Sequence, residues 1–170
     1  IDYYTDPNYL VCDPFSGRST SAITSLYLQR KFIGFGLDKE ANQKTRDVIR
    51  QHMDVPDGDW KIVDGDGCEM ECLKDKSEII DAVYSSPPYY RGAESYSDDP
   101  RDLCNMDVDQ FDSRIDVLFS NLKRLMKRSS WEEKKFYPVI FVVGTSRLGK
   151  NGIYDICLLY TSDAADDLLC

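Results

Sequence analysis

The sequence predicts an α/β domain built on a mainly parallel sheet. Two observations carry that reading. Short apolar runs alternate with longer amphipathic segments, and each apolar run closes on a turn rich in Asp, Gly or Pro. With 170 residues, 42% hydrophobic and 30% charged, the chain has the size and composition of a globular domain with a real core.

The elements follow in order. Residues 9–12, "YLVC", form a first strand ending at Asp13. "DPFSGRST" turns the chain, and "STSAITSLYLQR" reads as a helix capped by Ser19 or Thr20, since a hydroxyl there accepts from the free N–H groups of the first turn. "KFIGF" is the second strand. Lys39 to His52 is helical, with Ala41, Thr45, Val48 and His52 expected on the apolar stripe, which gives His52 a structural role. "WKIV" closes on "DGDG", and "IIDAVY" closes on "SSPPYY", where proline ends the strand because it cannot donate to a ladder. Asp109 to Lys127 is the clearest helix, with Phe111, Ile115, Leu118, Leu122 and Leu125 at alternating steps of four and three. "YPVIFVVG" is the fifth strand.

No run approaches about 18 consecutive apolar residues, so a membrane span is not expected. No basic and apolar leader is visible, the six cysteines match no zinc spacing, and reduced thiols in a cytoplasmic protein are expected, with no metal. The net charge of −9 argues against a polyanionic partner, yet residues 121–150 hold eight Lys or Arg against Glu132 and Glu133. That stretch fits a solvated helix face as well as a nucleic-acid contact. Nothing in the sequence sets an oligomeric state. The start at Ile1 suggests that the natural N-terminus lies upstream. The last stretch, 157–170, "CLLYTSDAADDLLC", looks like a translated sequencing adapter, so the expected domain is 1–156 and the natural protein is expected to continue past Ile156.

In a parallel α/β sheet, ligands sit at the carboxyl ends of the strands, where these loops gather. Asp13, Pro14, Phe15 and Gly17 make a loop suited to a small polar ligand, because Gly17 lets the backbone approach closely. Asp66, between two glycines, reads by itself as a turn former.

Taken together, "DPFSGRST", "RKFIGFGLD", "VDGDG" and "SSPPYY" resemble the amino-methylating DNA methyltransferases, over roughly Asp2 to Asp155 and in the family's order. The resemblance implies a Rossmann-like S-adenosylmethionine methyltransferase fold, incomplete here, and DNA as substrate. Asp13, Pro14, Phe15 and Gly17 are then expected to hold the cofactor, Asp38 its ribose and Asp66 its adenine. Ser86, Pro87, Pro88 and Tyr89 are expected to receive a flipped base. Two departures stand out: Ser19 where the family often has a second glycine, and Gly36 where many members carry the ribose-binding acid. A serine opening the turn points to cytosine N4 over adenine N6.

Three rival readings stand beside it. "GTSRLGKN", residues 144–151, almost spells a phosphate-cradling loop, but Asn151 stands where the magnesium-binding hydroxyl belongs. A methyltransferase acting on RNA or protein amides is an alternative, because such turns serve those substrates too. A truncated cofactor-binding fragment without activity is the other.

Overall fold

The computed structural model describes residues 1–18, 20–88, 97–130 and 135–142, and the backbone of 146–147 and 153–154. The chain runs β1 (Leu10–Asp13), α1 (Thr20–Tyr27), β2 (Lys31–Gly36), α2 (Lys39–His52), β3 (Trp60–Asp64), β4 (Ala82–Ser85), α3 (Val108–Leu125) and β5 (Val139–Phe141), with a 3-10 turn, Glu71–Leu73, in place of an α-helix between β3 and β4. The strands form one sheet in the order β3-β2-β1-β4-β5, every neighbouring pair parallel. A two-stranded antiparallel pair, β6 (Ser146–Arg147) and β7 (Ile153–Tyr154), follows.

Side chains alternate across a pleated strand, so adjacent residues feed opposite layers. Val11, Phe32 and Ala82 pack with Ala22, Leu26 and Ile49 on one face. Cys12, Ile33 and Val83 pack on the other, against Phe111, Ile115, Leu118, Phe119 and Leu122 of α3. Each such large side chain, fully buried, is worth about 1.5–3 kcal/mol. The stripe expected on α3 is the buried one. A capping box starts this helix: Asp107 accepts from the Gln110 N–H while the Gln110 side chain accepts from the Asp107 N–H.

The stripe expected on α2 is rotated. Asn42, Thr45 and Ile49 are buried, and His52 is exposed, so its expected packing role is not the one the fold gives it. Asn42 wins an interior place through hydrogen bonds rather than apolar surface, donating to the Gly36 carbonyl at 2.8 Å and to Asp64 at 2.9 Å. The first helix stops at Tyr27 rather than Arg30; Gln29 sits at φ +62°, and Arg30 turns inward to donate to Thr5 Oγ1 at 3.0 Å. The fourth strand starts three residues later than the apolar run suggests. The Ile79 and Ile80 N–H groups bond to the Leu125 carbonyl at the end of α3 instead of joining the sheet. The expected cap at Ser19 and the tail 157–170 lie outside the described residues.

The chain runs from β1 outward to β2 and β3 on one side and to β4 and β5 on the other. The reversal between β1 and β4 is a topological switch point, where the loops at the carboxyl edge part and leave a crevice.

Candidate functional site

A cavity of about 750 Å³ opens along that edge. Asp13, Pro14, Phe15, Gly17, Asp38, Asp66, Ser86 and Pro88 all line it, so four loops far apart in sequence meet in one place. Pro87 is buried and does not line the cavity, and Tyr89 lies outside the described residues.

The first loop is held from below. Phe15 N–H donates to Asp13 Oδ1 at 3.0 Å, and Ser16 donates its N–H and its hydroxyl to the Phe35 carbonyl at 2.9 and 3.1 Å. Gly17 then takes φ +44°, a conformation that costs a side-chain-bearing residue free energy. Asp13 itself is buried. Its Oδ1 also accepts from Ser85 Oγ at 2.5 Å, and its Oδ2 accepts from Ser21 Oγ. Burial pushes its carboxyl above the usual carboxylate range, against these three hydrogen bonds, which pull it down. No cation pairs with it among the described residues.

Asp38 caps α2, with Oδ1 accepting from the Glu40 and Ala41 N–H groups at 2.9 and 3.1 Å, and its exposed carboxylate borders the cavity. The sequence separates two acids here. Asp64, at the end of β3, is committed to Asn42 and Arg46; burial works the other way, but these partners hold its carboxyl below the usual range. Asp66 is committed differently. Its Oδ1 accepts from Cys68 N–H at 2.8 Å, and its Oδ2 pairs with Arg114 of α3, which also pairs with Glu69.

Gly67 joins the two loops. A Cβ there would stand 1.8 Å from the Pro14 carbonyl oxygen, so only a glycine lets the β1 and β3 loops pack backbone against backbone. The turn after β4 presents Ser86, whose exposed hydroxyl donates to the Val142 carbonyl beyond β5 at 3.2 Å. That commits its proton and leaves its oxygen as an acceptor at the cavity wall.

Four contributors escaped the sequence reading. Ser21 and Ser85 carried only the weak sign of small polar residues beside recognised turns. Gly67 was read as part of a tight turn, with no sign that another backbone presses on it. Arg114 had no local sign, because its partner Asp66 is 48 residues away. Among the described residues no group of three or more His, Cys, Asp or Glu is placed to hold a metal ion, and no helix is long and apolar enough to cross a membrane. Cys12, Cys68 and Cys72 are free thiols.

No family model matches the chain, and no curated protein matches it. Solved structures do. The cyclopropane synthase MmaA2 from Mycobacterium tuberculosis is 10% identical over 96% of this chain and 48% of that one, with a TM-score of 0.55. A provisionally assigned rRNA-methylase from Clostridium thermocellum is 14% identical over 76% of this chain and 63% of its own, TM-score 0.52. A provisionally assigned sarcosine dimethylglycine methyltransferase from Galdieria sulphuraria is 12% identical over 75% and 39%, TM-score 0.51. The chain thus spans between 39% and 63% of the length of these three. At such identities the likeness establishes the fold alone: a Rossmann-like, all-parallel sheet shared with these three structures.

Proposed function

We propose that the protein transfers a methyl group from S-adenosylmethionine to the exocyclic amino group of a flipped DNA base, with cytosine N4 preferred over adenine N6. One observation carries the proposal. Ser86, with its proton committed to Val142, lines the same cavity as the Asp13–Gly17 loop.

The cavity fits the cofactor on the chain's own features. A volume near 750 Å³ lies within the range of about 300–1,000 Å³ usual for ligands of this size. Pro14 and Gly67 both line the cavity, and their backbones touch there in a way that a Cβ on Gly67 would prevent. Asp13 adds a buried carboxyl with no cation paired to it among the described residues, which favours a cationic ligand in the adjoining space. Asp38, at the rim, suits hydroxyl donors such as those of a ribose, and the Asp66 loop supplies the far end. When bound, the cofactor supplies a methyl group on a cationic sulfonium.

An exocyclic amine is a poor nucleophile because its lone pair is delocalised into the ring. An acceptor fixed on one amino hydrogen favours the pyramidal geometry that frees the lone pair; the nitrogen–methyl bond would form as the sulfonium–methyl bond breaks, and the surplus proton on the nitrogen would pass to solvent. Ser86 Oγ is that acceptor. Pro87 and Pro88 fix the turn, so little reorganises during reaction. Tyr89, outside the described residues, is assigned the stacking face for the base on the strength of the motif.

Labelled-methyl transfer to DNA, RNA and protein pools, with the modified nucleoside identified by mass spectrometry, tests this reading. Ser86→Ala in the whole protein is expected to lower turnover by on the order of 10²–10³ while cofactor affinity stays within about twofold. Methylation of RNA or protein alone overturns the assigned substrate, and N6-methyladenine as sole product overturns the assigned base.

A further inference from the structure

We propose that Ser85 is a positioning residue that ties the catalytic turn to the cofactor loop through the Asp13 carboxylate. The inference rests on the functional reading above and deepens it. Ser85 is the last residue of β4 and stands directly before the Ser86-Pro87-Pro88 turn. It is fully buried, 0% exposed, and does not line the cavity, so it cannot touch a ligand there. Its hydroxyl donates to Asp13 Oδ1, which also accepts the Phe15 N–H, while Oδ2 accepts the hydroxyl of Ser21 in the first turn of α1.

One carboxylate therefore gathers three donors from three places: the base turn's strand, the cofactor loop and the helix that follows it. Strands β1 and β4 are direct neighbours, paired Val11 to Ala82 and Cys12 to Val83, so the link spans the switch point itself. A carboxylate buried among hydroxyls and an amide is stabilised only while those donors stay in place. A shift of either loop would withdraw one of them. The two loops consequently hold one another in register, and the distance between methyl donor and base acceptor is set by this contact as well as by the sheet.

A double-mutant cycle tests the link. Affinity of the full chain for S-adenosylhomocysteine is measured by calorimetry for the unsubstituted chain, Ser85→Ala, Ser21→Ala and the double variant, with melting temperatures recorded alongside. Each single substitution is expected to weaken binding by about tenfold, as for loss of one hydrogen bond to a charged group. The double variant is expected to be much less than a hundredfold weaker, because both act on one carboxylate. If Ser85→Ala does not fold, Ser85→Cys, of similar size and a weaker donor, carries the same expectation. A lowered melting temperature with unchanged affinity overturns the inference, as do losses that simply multiply. No binding by the unsubstituted chain overturns the functional reading itself, and the two failures are thereby told apart.

Discussion

The two edges of the sheet each bury an aspartate, and they satisfy it in opposite ways. At the amino edge Asp81, just before β4, accepts from the Leu10 N–H at 2.8 Å and pairs with Lys127 Nζ at 2.6 Å. At the carboxyl edge Asp13 has two hydroxyls and an amide, and among the described residues no cation. The first arrangement is a clamp. It fastens the chain leaving α3 to the start of the central strands, and its charge is balanced within the fold. The second is a junction with no ion pair among the described residues. A fold that needed only stability would have little reason to bury a carboxylate without a cation, since burial disfavours the charged form. The difference supports the proposal that the carboxyl edge is the working edge, and it does so without reference to any motif.

The contrast can be broken most severely at Gly67. Gly67→Ala places a methyl group against the Pro14 carbonyl, 1.8 Å away, and backbone cannot yield as a flexible side chain can. A loss of about 3 kcal/mol is expected from overpacking, together with loss of cofactor binding, because the two loops that floor the cavity must separate. Urea unfolding and calorimetry check this. Tight cofactor binding in a Gly67→Ala chain would show that the floor is not where the cofactor lies.

Much of this was legible in the sequence, for reasons that differ by element. The α3 stripe was legible because Phe111, Ile115, Leu118, Leu122 and Leu125 are apolar at helical spacing, and burial follows apolarity there. The loops of the site were legible because strands in this architecture must end on one edge. The α2 face was not, because Asn42 is held inside by hydrogen bonds to Gly36 and Asp64, which a hydrophobic pattern cannot register. The Arg114–Asp66 pair was invisible for a related reason: its partners share no periodicity and are brought together only by the packing of α3. Apolar order is written locally, and polar order is written in the fold.

A smaller effect is expected at the other edge. Lys127→Ala removes the cation from Asp81, which is itself only 8% exposed, while Lys127 is 41% exposed. Breaking a fully buried pair costs about 3–5 kcal/mol, and water reaching the Lys127 site reduces that here to roughly 1–2 kcal/mol. Affinity for the cofactor is expected to be unchanged, since the clamp lies at the far end of the strands. Denaturant melts and calorimetry on the same preparation measure both. Weakened cofactor binding in Lys127→Ala would mean that the two edges are coupled through the sheet, and the contrast drawn between them would dissolve.

The finest test reads the sign of a pH dependence. The Asp13 carboxyl is raised in the folded chain because burial outweighs its hydrogen bonds. A raised carboxyl binds protons more readily folded than unfolded, so lowering the pH through its folded value toward the ordinary range near 4 favours the folded state. Asp64 acts the other way: burial works against it, but Asn42 and Arg46 hold its carboxyl low, so it contributes stability that is lost as the pH falls through its folded value. The Asp13 contribution is isolated by comparison with Asp13→Asn, which keeps the shape and cannot ionise. The stability of the unsubstituted chain minus that of the variant, from urea melts at several pH values between 7 and 4, is expected to rise as the pH falls. Bound to a cationic ligand, the ionised carboxyl is favoured and the same difference curve flattens. A curve that falls with acidification would mean that Asp13 is stabilised as an anion by the chain alone, and its resemblance to the clamped Asp81 would then outweigh the difference.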